Sequence, residues 1–207
     1  MTFMRPLRVG LTGSIGMGKT ETARMFSQLG IAVYDADAAV HRLYAAGGEA
    51  VAAIAEAFPE CMSDGGVDRN CLSAELRADP AALARLEAII HPLVAREQES
   101  FIERAAADGA DIVVLDIPLL FETGGDAQVD AVVVVTAPED VQRARVLSRP
   151  GMNEALLAQL LSRQLSDVDK RQRADFVVET GKGLGHAFEQ VKRIVAELRA
   201  RRMGANA

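Results

Sequence analysis

With 207 residues and a net charge of −6, the chain is long enough to bury its own hydrophobic core and too acidic to offer nucleic acid a general binding surface. No run approaches the roughly 20 apolar residues that span a bilayer, and the apolar stretch near the N-terminus is interrupted by glycines, so neither a membrane helix nor a removable signal is expected. Cys61 and Cys71 have no nearby histidine pair to complete a zinc set and are read as free thiols in a reducing compartment, which makes a soluble, cytoplasmic protein the expectation.

The first predicted element is a buried strand over Leu7-Arg8-Val9-Gly10-Leu11-Thr12. Gly13-Ser14-Ile15-Gly16-Met17-Gly18-Lys19-Thr20 follows and matches G-x-x-x-x-G-K-[ST] at every fixed position, after which Thr22, Ala23, Phe26 and Leu29 fall at helical spacing. Strand, glycine loop and helix in that order predict a nucleotide site. Glycine lets the backbone curl so that successive N–H groups from Ser14 to Gly18 converge on phosphate oxygens, and a helix opening at Lys19 adds its positive end. Lys19 then reaches the β- and γ-phosphates, the Thr20 hydroxyl holds Mg²⁺, and Glu21 contributes its backbone N–H.

Ile31-Ala32-Val33-Tyr34 reads as a second strand ending in Asp35-Ala36-Asp37. Two carboxylates two positions apart on extended chain point the same way, toward the phosphates; alternatively Asp37 caps the next helix and one carboxylate remains, or both only cap and solvate a loop. Residues 37–110 are mostly helical in pattern, with breaks at Gly47-Gly48, Pro59, Asp64-Gly65-Gly66 and Pro80, and such an excursion is a natural holder of a second substrate. His91-Pro92 reads as the end of one helix and the start of another, with His91 either a substrate contact or a helix-end residue.

Ile112-Val113-Val114-Leu115-Asp116 is expected to be a strand buried on both faces; Asp116 either supports Mg²⁺ or its bound water, or begins the turn into Pro118. The apolar Ile117 to Phe121 segment, ending at Glu122, lines a pocket or packs beneath one. Asp130 to Val135 is a further buried strand, and Pro138 opens a helix carrying Arg143, Arg145 and Arg149. Arg145 and Arg149 share a face there, as a solvated surface or as a phosphate clamp. Beyond the break at Pro150-Gly151, residues 152–173 form a polar helical segment with Arg163, Lys170, Arg171 and Arg173 that reads as a lid. Phe176 to Glu179 is the last strand, Phe188, Val191, Ile194, Val195 and Leu198 mark the buried face of a closing helix, and Met203 to Ala207 read as a loose tail.

Five short strands alternating with helices predict an α/β fold, a five-stranded parallel sheet with helices on both faces, and the glycine loop places it among P-loop nucleotide proteins. No Asn-Lys-x-Asp motif supports a guanine-nucleotide switch, and a compact chain with a late arginine-rich lid suits a small-molecule kinase better than a motor. A kinase acting on a nucleoside, nucleotide or small hydroxyl compound and a non-catalytic ATP-dependent switch stand as competing readings.

Thr12 to Thr20, Tyr34-Asp35-Ala36-Asp37, His91-Pro92-Leu93-Val94, Asp116 to Glu122, Gln142 with Arg145 and Arg149, Gln164, and Lys170 followed by Ala174-Asp175 together resemble the dephospho-CoA kinase family, in family order from about residue 8 to residue 181. The resemblance implies transfer of the ATP γ-phosphoryl group, with Mg²⁺, to the ribose 3′-hydroxyl of dephospho-CoA, the last step of coenzyme A synthesis. It implies a nucleotide-binding core of residues 1–36, 111–149 and 174–207, a helical CoA-side domain over 37–110, and a lid over 150–173. It makes Asp37 the general base or hydroxyl-orienting residue, Lys19 and Arg145 catalytic groups that neutralise charge, and Thr20 and Asp116 the metal side. Arg149 joins the ATP contacts, while Asp35, His91, Pro118, Leu119, Leu120, Phe121 and Glu122 become CoA-side contacts. ATP and dephospho-CoA are then the partners of a monomer or weak homo-oligomer that binds neither nucleic acid nor membrane. The sequence departs from the family's habit at Glu21, where a second hydroxyl residue commonly follows the loop, and at Glu179-Thr180-Gly181, where asparagine is frequent before the glycine.

Overall fold

The computed structural model describes residues 5–204 and divides into two compact units, one comprising the chain up to Tyr34 and from Arg104 onward, the other Asp35–Glu103. The first unit is built on a five-stranded parallel sheet of β1 (Leu7–Thr12), β2 (Ala32–Asp35), β5 (Ile112–Asp116), β6 (Ala131–Thr136) and β7 (Phe176–Glu179), in the order β2-β5-β1-β6-β7. The central β1 pairs in parallel with β5, Leu11 opposite Asp116, and with β6, Thr12 opposite Val134. β7 continues the sheet beside β6, Thr136 opposite Glu179. These registers bring the carboxyl ends of the strands to one edge, where open α/β sheets bind their ligands.

β5 and β6 are apolar and buried on both faces because both faces of the sheet are covered there. Val9, Leu11, Ile112, Val114, Val133 and Val135 pack with Met25 and Phe26 of α1 (Lys19–Gln28) and with Val191, Ile194, Val195 and Leu198 of α9 (Leu184–Gly204). The alternate residues Val132 and Val134 face the other side, against Leu120 and Phe121. Helix α8 (Asp167–Gln172) also packs on β6, preceded by α6 (Glu139–Leu147) and α7 (Glu154–Leu161). Burying a side chain such as Phe26 completely stabilises the fold by roughly 1.5–3 kcal/mol. Helix α9 runs to Gly204, and the rest of the expected tail, 205–207, lies outside the described residues.

One arginine expectation is corrected here. Helix α6 ends at Leu147, so Arg149 stands in the turn beyond it and shares no helix face with Arg145. Pro150 disfavours helical backbone at Arg149, and the Ser148 hydroxyl donates to the Arg145 carbonyl at 2.9 Å, occupying an acceptor at the helix end.

The second unit contains α2 (Ala36–Tyr44), α3 (Val51–Ala57), a hairpin of β3 (Met62–Ser63) and β4 (Gly66–Val67), α4 (Arg69–Ala78) and most of α5 (Pro80–Ala107) around Leu43, Ile54, Phe58, Leu72, Leu86 and Ile90. Where only a break was expected, Asp64 at φ 51° and Gly65 at φ 77° form the tip of the hairpin, the two positive-φ positions that a two-residue turn of this hand needs. His91-Pro92 does not interrupt α5, which runs for 28 residues with Pro92 inside it. Leu86 and Ile90 before the proline and Ile102 and Ala105 after it are buried, which holds the helix on both sides of the missing hydrogen bond, and Ala88 and Pro92 face solvent.

Cys61 and Cys71 form a disulfide, with 5.2 Å between their Cα atoms, and are not free thiols. The hairpin folds the chain back so that Cys61 meets the first turn of α4, and Asp68 fixes that turn by accepting from the backbone N–H groups of Asn70 and Cys71 at 2.8 and 3.1 Å. We expect reduction of this bond to lower stability by about 2–3 kcal/mol through the freed loop entropy of the unfolded chain. Urea unfolding with and without dithiothreitol, and of the C61A/C71A variant, checks this; coincident midpoints would mean that the hairpin and caps hold the region without the bond.

Candidate active site

The loop between β1 and α1 follows from the geometry of its glycines. A Cβ on Gly13 would lie 2.6 Å from the Val135 carbonyl oxygen, so only glycine lets the chain leave β1 this close to β6. Gly16 at φ 79° and Gly18 at φ 97°, the latter the N-cap of α1, adopt left-handed backbone that L side chains rarely take. Lys19 and Thr20 thereby occupy the first turn of α1, at its positive end, with Thr20 and Glu21 exposed and Glu21 paired to Arg24.

Side chains from distant parts of the first unit hold the loop from behind. Gln142 Nε2 of α6 donates to the Ile15 carbonyl at 2.8 Å, and the Ile15 N–H donates to Gln164 Oε1 at 3.3 Å. The Ala137 N–H points at Met17 Sδ, 3.1 Å away, and Arg145 Nη1 lies 3.4 Å from the Gly16 carbonyl oxygen. In a planar trans peptide the C=O and the following N–H point in opposite directions, so a carbonyl held outward aims the next N–H inward. Gln142 does this for Gly16, whereas the Ile15 N–H is taken by Gln164 and the Met17 N–H donates to the Ser14 carbonyl at 3.2 Å, so these two do not join the expected convergence. Ser14 and Met17 also line a cavity of about 680 Å³ whose walls include Pro138, Gln164, Asp167 and Arg171; its size is in the range that encloses a small ligand.

Lys19 forms an ion pair with Asp116 at the carboxyl end of β5, their side chains only 16% and 7% exposed. The Thr12 hydroxyl at the end of β1 donates to the Pro118 carbonyl at 3.0 Å, which seats the segment after β5 beside the loop. Within that segment Leu120 and Phe121 turn inward and are buried against Val132 and Val134, packing rather than facing solvent, while Leu119 stays 40% exposed and Pro118 half-buried. Glu122 accepts from the Leu165 N–H at 2.8 Å and lies 2.9 Å from Nζ of Lys170, which is fully buried. Both partners belong to the stretch predicted as a lid, so this carboxylate ties that stretch to the segment after β5.

In the second unit the Asp35 side chain accepts from the Ala38 N–H at 2.9 Å and is the N-cap of α2. Asp37 lies in the first helical turn, exposed. The pair is therefore divided, and the two carboxylates do not share an extended strand: the capping residue is Asp35, and Asp37 keeps its carboxylate for other work. His91 is exposed in the middle of α5.

Among the predicted residues of the first unit, the structure brings Lys19 and Asp116 together at the loop and sets Arg145 against it, with Arg149 exposed beyond α6. Sequence reasoning assigned no work to Gln142, Gln164 or Thr180, and it counted Lys170 only among the basic residues of the lid, whereas the structure buries that ammonium against Glu122. Gln142, Gln164 and Lys170 stood among the residues that carried the family resemblance, but their partners lie far along the chain. Thr180 gave no signal except that it stands at a departure from the family pattern.

The family model for dephospho-CoA kinase matches residues 7–185. A dephospho-CoA kinase from Mesorhizobium japonicum is 55% identical over 194 residues, which cover 94% of this chain and 98% of that one. Among solved structures, a Thermus thermophilus protein superposes with a TM-score of 0.83 at 33% identity, covering 94% of this chain and 99% of the other. The dephospho-CoA kinase from Campylobacter jejuni covers 94% and 98% with a TM-score of 0.65 at 17% identity, a likeness of fold. A family model matched over residues 7–185 and identity above one half over nearly the whole length of a curated relative have one consequence: the chain belongs to the dephospho-CoA kinase family.

Proposed function

We infer that the chain transfers the γ-phosphoryl group of ATP to the ribose 3′-hydroxyl of dephospho-CoA, giving coenzyme A and ADP, the final step of coenzyme A biosynthesis. The observation that carries this reading is the complete phosphate loop with Lys19 against Asp116, in a chain of this family. Phosphoryl transfer passes through a loose transition state with charge spread over the transferring oxygens, so the protein's work is alignment and neutralisation. The loop N–H groups and the opening of α1 attract the phosphates, and Lys19 balances charge on the β- and γ-oxygens. Arg145, already seated at the loop, adds a second cation, and Arg149 contributes from the turn beyond α6.

The acceptor side falls to the helical unit, residues 37–110 in the sequence reading, and to the half-buried Pro118 and the exposed Leu119; Asp35 and His91 belong to it by position. With capping done by Asp35, the Asp37 carboxylate is left to orient the acceptor hydroxyl and take its proton. Leu120 and Phe121 support that side from the core, and Glu122 acts through residues 150–173, which serve as the lid. Thr20 and Asp116 offer hard oxygen donors, and a site of so few protein ligands suits Mg²⁺, which keeps water and phosphate oxygens as its other ligands. When bound, the ion neutralises charge on the β- and γ-phosphates. The same reading makes the protein a cytoplasmic monomer or weak homo-oligomer without nucleic acid or membrane as partner; among the described residues no helix is long and apolar enough to cross a membrane.

The test is ADP formation from Mg-ATP with dephospho-CoA, adenosine, AMP or shikimate as acceptor, each active product checked by mass for one added phosphoryl group. Dephospho-CoA alone should support turnover; turnover with a different acceptor instead would overturn the substrate. In the same assay Asp37→Asn should reduce kcat about 100-fold or more while ATP affinity is retained. Unchanged turnover would remove Asp37 from the chemistry.

Glu122 supplies a pH prediction. Burial alone would raise its carboxyl pKa, but the Lys170 ammonium and the Leu165 N–H outweigh burial and hold it below its ordinary value of 4.5. Its contribution to stability is therefore complete above that ordinary value and is lost as pH falls through the lower folded one. Glu122→Gln should flatten this acid limb of the stability curve and cost roughly 3 kcal/mol at neutral pH by leaving a buried ammonium without its counter-charge. Denaturant midpoints measured across acid and neutral pH for both proteins give the comparison; parallel curves would detach the pair from acid stability.

A further inference from the structure

We propose that Thr180 is a positioning residue for phosphoryl transfer: its hydroxyl joins the Met17 carbonyl of the glycine loop to the Arg145 guanidinium, so that loop and cation are held in one register. The proposal rests on the nucleotide-site reading above and deepens it.

Thr180 lies one residue past β7, and its N–H donates to the Thr136 carbonyl at 2.9 Å, which extends the β6–β7 ladder and fixes its backbone. The residue is 7% exposed. Its Oγ1 lies 2.7 Å from the Met17 carbonyl oxygen, 3.2 Å from that of Thr136 and 2.8 Å from Arg145 Nη1. A hydroxyl has one proton and two lone pairs; with the shortest carbonyl contact at Met17, it donates there and accepts from Arg145. The Thr180 carbonyl accepts from Arg145 Nη2 at 2.9 Å, so a single residue receives the guanidinium through both terminal nitrogens.

Two consequences follow for the site. Met17 C=O and Gly18 N–H belong to one planar trans peptide, so pinning the carbonyl on Thr180 aims the Gly18 N–H in the opposite direction. Gly18 itself is pressed close: a Cβ added there would lie 3.1 Å from Thr180 Oγ1. For Arg145, the contacts to Thr180 Oγ1, Thr180 O and Gly16 O leave Nε–H and one Nη2 proton for phosphate oxygens, held by a planar group that cannot swing away without breaking all three. Threonine suits the task because its branched Cβ restricts χ1, so the hydroxyl has a fixed aim.

Valine keeps the shape and removes the hydroxyl; serine keeps the hydroxyl and removes the methyl. In steady-state assays that vary each substrate in turn, Thr180→Val should lower kcat/KM for ATP about 10- to 100-fold, the range of one buried hydrogen-bond junction lost. KM for dephospho-CoA should stay within about twofold, and Thr180→Ser should restore most of the activity. The double variant T180V/R145M should lose little more than R145M alone, because the two side chains act as one unit. Circular dichroism and thermal melting verify folding, and Thr180→Ala carries the same comparison if the valine variant does not fold. A near-wild-type Thr180→Val, a Thr180→Ser as impaired as the valine variant, a KM for dephospho-CoA raised as much as the KM for ATP, or additive losses in the double variant would each overturn the proposal. A wild-type enzyme silent with dephospho-CoA would instead remove the functional reading beneath it, so the two failures are distinguishable.

Discussion

A phosphate loop must turn its amide hydrogens toward the ligand, and each amide turned inward sends the preceding carbonyl outward, into the protein. That constraint organises the first unit. An outward carbonyl in a buried setting needs a donor, and two elements supply the three: α6 gives Gln142 for Ile15 and Arg145 for Gly16, and the end of β7 gives Thr180 for Met17. The sheet order puts β6 and β7 on the side of β1 toward which these carbonyls face. On the other side of β1, β5 delivers Asp116 to Lys19. The glycines set the curve of the loop, and the neighbouring strand ends keep it.

Residues 150–173 are joined to this core by charge as well as by apolar contact. Lys170 is buried completely, and an ammonium taken out of water is tolerated only with a counter-charge; Glu122 provides it, and Leu165 packs into the cluster around Leu120 and Phe121. The segment after β5 therefore has two faces. Leu120 and Phe121 fasten it to the sheet while Leu119 remains exposed, so one short run of apolar sequence does both structural work and surface work.

Much of the first unit was legible in the sequence because its signals are local. Strands buried on both faces read as unbroken apolar runs, the glycine pattern has fixed spacing, and the buried face of α9 repeats with helical period. The helical unit was harder. β3 and β4 have two residues each, too few to show alternation, so the Asp64-Gly65 turn looked like a break and the meeting of Cys61 with Cys71 could not be foreseen. Pro92 misled because a proline's cost is local whereas the anchoring that offsets it comes from buried residues on either side. At the site, Lys19, Thr20 and Asp116 announced themselves by motif. The division of labour between Asp35 and Asp37 depended on which residue the helix selects as its cap, and Leu120 and Phe121 needed the opposite face of the sheet before their direction was clear. Thr180 carries no motif, and its partner in the glycine loop, Met17, lies 163 residues earlier in the chain.

That last separation bears on how the protein is made. The bond from Thr180 to Met17 joins positions 163 residues apart, the one from Gln164 to Ile15 positions 149 apart, and the one from Gln142 to Ile15 positions 127 apart. The glycine loop emerges during synthesis well before the groups that hold its shape. A nascent chain thus displays the whole sequence motif long before it possesses the rigid anion cradle, and tight nucleotide binding becomes a property of the finished fold. An amino-terminal fragment would contain every residue of the motif and lack the framework that makes it work.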